Sequence, residues 1–213
     1  MMLRLHYHPF AQYCQKVLIA LYEHDLSFER RRVNLGEPDQ RAALAAIWPF
    51  ARFPVLESDV GVLGESGVII EYLDTLAPTR APLVPSERMA ALEPRMLERV
   101  IDGYIADPLA RMVGAHFTGF AVDNAKELNT IATAYDFLEA QLDGRAWLAD
   151  EFGLADCTAG PALFYANLKQ SIGDRPRLAG YFERLRARPS FARVIDEARP
   201  YRKHTPFDWP ADY

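Results

Sequence analysis

Leu3, Leu5 and Tyr7 alternate with polar neighbours at the start of the chain, a period of two that predicts a short strand stopping at Pro9. The period then lengthens. Cys14, Val17, Leu18, Leu21 and Tyr22 recur at the spacing of one helical face, and His24-Asp25 closes that helix before a second strand, Ser27 to Val33. Asp39 to Ile47 predicts a short helix. Pro49 and Pro54 then bracket a loop, and Val55 to Glu57 and Val60 to Leu63 read as two strands joined by a tight turn at Ser58-Asp59. Ser66 is placed to cap a further helix, whose buried stripe is Ile69, Tyr72, Leu73 and Leu76.

The pattern changes after Ala77. Pro78, Pro82 and Pro85 lie close together among small residues, which disfavours helix and central strand alike, so residues 78–86 are predicted to be a linker. Beyond it strand signals nearly vanish. Helical stripes return at Ile131, Ala134, Tyr135, Leu138 and Leu142, and at Leu178, Tyr181, Phe182 and Leu185. Two stretches stand outside this pattern: Gly114 to Val122, where Phe117 and Phe120 lie among glycines, and the tail from Pro200 with Tyr201, Phe207, Trp209 and Tyr213. The expected organisation is an α/β, thioredoxin-like domain at 1–77, ordered β-α-β-α-β-β-α with a closing antiparallel hairpin, followed by an all-α helix bundle at 87–213.

Composition narrows the function classes. With 213 residues, half of them hydrophobic, the chain can bury a sizeable core. Its formal charge of -5 is spread along the sequence, which argues against a nucleic-acid face. No apolar run approaches the roughly 18 to 20 residues that span a bilayer, and MMLRLHYHPF does not resemble a signal peptide. The expectation is a cytoplasmic protein with no membrane partner. Only Cys14 and Cys157 occur, at no disulfide or metal spacing, and no metal site is expected.

Four fragments carry the chemistry: His8-Pro9 ending the first strand, Phe53-Pro54 before the third, Glu65-Ser66 opening a helix, and Leu154-Ala155-Asp156 opening a later one. Phe53-Pro54 could be an ordinary turn or a cis bond that leaves the preceding backbone groups pointing outward. A serine at a helix start leaves backbone donors and the positive dipole end facing a carboxylate, although a plain cap needs no ligand. Taken in order and spacing, these fragments resemble the glutathione transferase family across nearly the whole chain. The likeness is greatest to bacterial members in which HP is followed by CQKVLIALYE, as in His8 to Glu23.

The resemblance implies a glutathione site. Pro54 would be cis, and the Phe53 N–H and C=O would pair with the cysteinyl unit in strand fashion. Ser66 would hold the γ-glutamyl carboxylate while Glu65 accepts from its ammonium. Arg52 stands where relatives carry a basic residue near the glycyl carboxylate; a solvated surface arginine is the competing reading. Thiol activation departs from the family pattern. Serine-type members place a serine two residues after HP, and here that residue is Ala11. Tyr7 resembles the catalytic tyrosine of other members and is the first candidate, yet strand alternation also makes it a core aromatic. Backbone N–H groups around Ala11 to Tyr13, and the Gln12 and Tyr13 side chains, are further donors.

Other polar residues read as structural. Cys14 lies on an apolar stripe and lacks a partner at Ala11, so a core role is expected for it and for Cys157. Asp156 can reach back to a Gly153 cap, and Gly160-Pro161 is expected to bend that helix. His6 and His8 are expected to face solvent. The activity implied is transfer of the glutathione thiolate to a hydrophobic electrophile, with peroxidase, isomerase or dehalogenase chemistry, or glutathione binding without catalysis, as alternatives. A homodimer is implied as well, with Trp48 and Phe50 as candidate apolar anchors.

Overall fold

A computed structural model of the chain describes residues 2–210, so Tyr213 lies outside the described residues. The N-terminal part is built from β1 (Arg4–Tyr7), α1 (Gln12–Glu23), β2 (Glu29–Arg32), α2 (Pro38–Ile47), β3 (Val55–Ser58), β4 (Gly61–Leu63) and α3 (Ser66–Leu76). Its sheet runs β2-β1-β3-β4; β1 is parallel to β2 and antiparallel to β3, and β3–β4 is the closing hairpin. This is a thioredoxin-type domain. The helical domain follows, with α4 (Leu92–Ile101), α5 (Asp107–Thr118), α6 (Asn124–Gln141), α7 (Leu154–Asn167), α8 (Pro176–Arg186) and α9 (Pro189–Ala198). A π-helical turn, Asp102–Ala106, joins α4 to α5, and a 3-10 turn, Arg199–His204, leads into the tail.

Period-two alternation divides the sheet between two cores. Leu3, Leu5 and Tyr7 join the large core beneath α1, whereas Val33, Leu44 and Val55 form a smaller cluster under α2. Every residue of α1 from Cys14 to Leu21 is buried, because the helix is packed by α3 from its own domain and by α7 and α9 from the other. The two domains therefore share one core.

Several expectations need correction. His6 is buried rather than solvent-facing, its Nε2 2.7 Å from a Glu57 oxygen, because β3 brings that carboxylate beside it. His8 is half-buried against Phe53 and Tyr201. Gly114 to Val122 is not irregular throughout: α5 runs through Gly114 to Thr118 and stops at Gly119, whose φ of 74° suits a residue without a Cβ. Ser66 is the first residue of α3 and Glu65 its cap. The tail docks, with Trp209 buried against Phe10, Phe164 and Tyr165.

Asp156 does what its position suggested. Its carboxylate accepts from the Gly153 N–H at 2.9 Å and the Leu148 N–H at 3.1 Å, and also from the Tyr181 hydroxyl at 2.7 Å. Gly153 is required by space, since a Cβ there would lie 2.4 Å from the Leu83 carbonyl oxygen. This knot fixes the start of α7 against the segment that connects the domains.

Candidate functional site

The end of β1 lies beside the start of β3 at one end of the sheet, and α3 packs on β3. Phe53–Pro54 is cis, immediately before β3. Among the described residues, nothing takes up the main-chain N–H or C=O of Phe53. An unpaired donor and acceptor on one residue at a strand end can receive an extended ligand backbone.

Glu65 has φ 60° and ψ 112°, an uncommon conformation for a residue with a side chain, and it stands exposed while Ser66 is buried. The first α3 bond recorded at this end is Ile69 N–H to Glu65 O, 3.0 Å, which leaves the N–H groups of the opening turn for a ligand. Those donors, the helix dipole and the Ser66 hydroxyl favour an anion, and the neighbouring Glu65 carboxylate favours a cation. An α-amino acid end presents both charges. Arg52 is exposed near the same loop, after Ala51 at φ 48°.

The candidate thiol donors are distributed unequally. Tyr7 is buried, and its oxygen accepts from Arg30 Nη1 at 3.0 Å; Arg30 in turn pairs with Glu197 of α9 at 2.9 Å. The Tyr13 hydroxyl donates to Asp107 in a short bond, and burial together with that carboxylate pushes its pKa up. Gln12 Nε2 donates to the Ala106 carbonyl at 3.0 Å. Both of these side chains are thus engaged across the domain interface. The N–H groups of Cys14 and Gln15 bond to the Ala11 carbonyl, and those of Gln12 and Tyr13 have no acceptor among the described residues. They face outward at the α1 N-terminus. Cys14 is buried, and burial pushes its thiol pKa up, as expected of a packing residue.

The structure has two cavities of note, one within the helical domain and one that His8 lines. One of about 440 Å³ lies between α5, α6 and the tail and includes Met112, His116, Phe120, Val122, Lys169 and Phe207. The other, about 410 Å³, is lined by His8, Arg32, Asn34, Glu37, Gln40 and Tyr201. Among the described residues no group of His, Cys, Asp and Glu is arranged to hold a metal ion, and no helix is long and apolar enough to cross a membrane.

A thioredoxin-type domain with an open strand end, followed by an all-helical domain, defines a class of two-domain proteins, and comparison with known proteins gives its family. Residues 5–81 match the glutathione S-transferase N-terminal domain, and residues 120–184 match the C-terminal domain. The chain belongs to the glutathione S-transferase family. Curated relatives include a glutathione S-transferase of Silene vulgaris, 26% identical over 92% of this chain and 97% of that protein. A probable maleylacetoacetate isomerase of Caenorhabditis elegans is 26% identical over 87% of this chain and 89% of its own. Among solved structures, a glutathione S-transferase of Methylobacillus flagellatus with glutathione bound superposes with a TM-score of 0.80, at 29% identity, over 90% of this chain and 98% of that one.

Two features of this region escape the local sequence pattern. Alternation predicts a solvent-facing His8, whereas its ring lies against Phe53 just beyond the β1–β3 ladder. Lys16 is the other. It lies beside the apolar stripe of α1, and its ammonium bonds to Glu98 at 2.8 Å and to Asp102 at 2.9 Å. A lysine next to Cys14 and Val17 was the available signal.

Proposed function

We propose that the protein is a glutathione transferase that binds glutathione along Phe53 and activates its thiol for attack on a hydrophobic electrophile. The observation that carries this reading is the pairing of a free Phe53 N–H and C=O with the exposed Glu65 and buried Ser66 at the start of α3. The cysteinyl unit adds to Phe53 beside Pro54, the γ-glutamyl end binds at Ser66 and Glu65, and Arg52 receives the glycyl carboxylate. The Gln12 and Tyr13 N–H groups and the α1 dipole stabilise the thiolate. Tyr7, the phenol nearest in sequence, lies in the core beneath α1 with its oxygen held by Arg30, and the titration of Tyr7→Phe decides whether it takes part. The acceptor binds in the 440 Å³ cavity, which mixes apolar side chains with Lys169 and His116.

The domains are assigned as 1–77 and 87–213, joined by 78–86, and the protein is placed in the cytoplasm as a homodimer with a role in detoxification. Support for the dimer is the 69% exposure of Phe50, with Met89 and Met96 also exposed. The deciding experiment follows the ultraviolet absorbance of bound glutathione thiolate against pH in wild type and Tyr7→Phe. A bound-thiol pKa well below that of free glutathione supports activation, and a rise in Tyr7→Phe assigns the phenol. No binding, or an unshifted thiol, rejects transfer.

A second reading, glutathione-dependent isomerisation, is favoured by the similarity to the isomerase relative along most of both chains. Product analysis with a panel of acceptors separates the two: a thioether conjugate marks transfer, and a rearranged acceptor with glutathione recovered marks isomerisation.

A further inference from the structure

We infer that His8 is a catalytic residue of this site, its neutral imidazole donating Nε2–H to the glutathione sulfur. The inference rests on the glutathione reading above and adds to it the side-chain donor that Ala11 cannot supply.

Ring contact places the imidazole. The β1–β3 ladder ends with His6 opposite Val55, and just beyond it the side chains of His8 and Phe53 lie against one another. Their rings are stacked, 6.3 Å apart at 24°. Residues opposed in an antiparallel pair project their side chains to the same face. A cysteinyl unit paired with the Phe53 main chain therefore carries its thiol on the face that holds Phe53 and His8. Tyr7, one residue earlier, projects to the opposite face, where its hydroxyl meets Arg30.

Local bonding fixes the proton. The Phe10 N–H donates to His8 Nδ1 at 3.2 Å, so the neutral ring carries its hydrogen on Nε2. Tyr201 packs edge-on at 4.7 Å and Arg32 holds the Tyr201 hydroxyl at 2.6 Å, which keeps the ring half-buried at the wall of the 410 Å³ cavity. Burial first, and then the positive charge of Arg32, lowers the His8 pKa below 6.5. Glu37 also lines the cavity and is the carboxylate on that wall. At neutral pH the group is accordingly an uncharged donor. No proton passes through it: the thiol proton leaves to water, and Nε2–H then donates to the sulfur anion.

The test is the pH titration of bound glutathione in wild type, His8→Phe and His8→Gln. Phenylalanine keeps the stack and removes the donor; glutamine retains an N–H at about the Nε2 position. Support requires that His8→Phe bind glutathione as wild type does but hold its thiol pKa about one unit higher, about tenfold less thiolate at a given pH below it, with His8→Gln restoring most of the difference. A His8→Phe titration that overlays wild type overturns the inference, as does loss of glutathione binding in that variant, which would make His8 a binding residue. Failure of the glutathione reading is seen separately, as no binding or an unshifted thiol in wild type, and it removes the inference too. Wild-type protein labelled with ¹⁵N-histidine gives a check free of substitution: glutathione must move the His8 Nε2–H resonance and S-methylglutathione, which has no thiolate, must not.

Discussion

The Lys16 ammonium lies 2.8 Å from the Glu98 carboxylate, and both side chains are almost wholly removed from solvent, at 1% and 3% exposure. The pair joins α1 to α4 across the domain interface. Removing one member of a buried pair strands the other charge, at a cost of about 3–5 kcal/mol, whereas replacing both by apolar groups costs far less. Lys16→Met should therefore lower the urea midpoint markedly, and Lys16→Met with Glu98→Leu and Asp102→Asn, which also neutralises the second carboxylate bonded to Lys16, should recover most of it. A triple variant no more stable than the single would show that packing, not the stranded carboxylates, sets the loss.

Gly67 follows Ser66 in α3, and a Cβ on it would fall 2.5 Å from a Glu98 carboxylate oxygen. Gly67→Ala must displace either Glu98 or the first turn of α3, at about 1–3 kcal/mol. Calorimetry should record weaker glutathione binding by severalfold in this variant. Val68→Ala, at an exposed neighbouring position, serves as the control and should bind normally.

Asp156 receives three donors while fully buried, so Asp156→Ala leaves the Gly153 and Leu148 N–H groups and the Tyr181 hydroxyl unpaired. Each buried donor left without a partner costs about 1–3 kcal/mol, and a total loss of about 3 kcal/mol or more is expected by chemical denaturation. Asp156→Asn, which keeps one acceptor oxygen, should fall between. Equal stability of Asp156→Ala and wild type would contradict this account of the knot.

Glu23, at the end of α1, accepts two bonds from Arg188, at 2.7 and 2.8 Å, and a short bond from Ser190. Burial works against its charged form, but these bonds prevail and hold the pKa below the usual 4.5. A depressed carboxylate stabilises the fold above its unfolded pKa and loses that contribution as pH falls through the folded value. The stability gap between wild type and Glu23→Gln, about 1–3 kcal/mol at neutral pH, should shrink steadily below pH 4.5. A gap independent of pH would assign the effect to packing.

Much of this architecture was legible because burial imposes periodicity. The alternation of Leu3, Leu5 and Tyr7 and the stripe from Cys14 to Tyr22 mark β1 and α1 without reference to partners. Asp156 was legible too, since a carboxylate three residues after a cap acts within one helical turn. The irregularity read from Gly114 to Val122 failed for the converse reason: glycine weakens a helix locally, but α5 packs against α6 and continues to Gly119.

The sequence by itself determined the order of strands and helices and the residue types at the site, because helix and strand periods, caps and proline act within a few residues. Only the tertiary structure decided which polar side chains are free to act. Tyr7, Gln12 and Tyr13 are bound to Arg30, Ala106 and Asp107, residues of other elements, and His8 lies against Phe53, far from it in the chain, just beyond the β1–β3 ladder. Such pairings depend on long-range packing, and no local pattern encodes them.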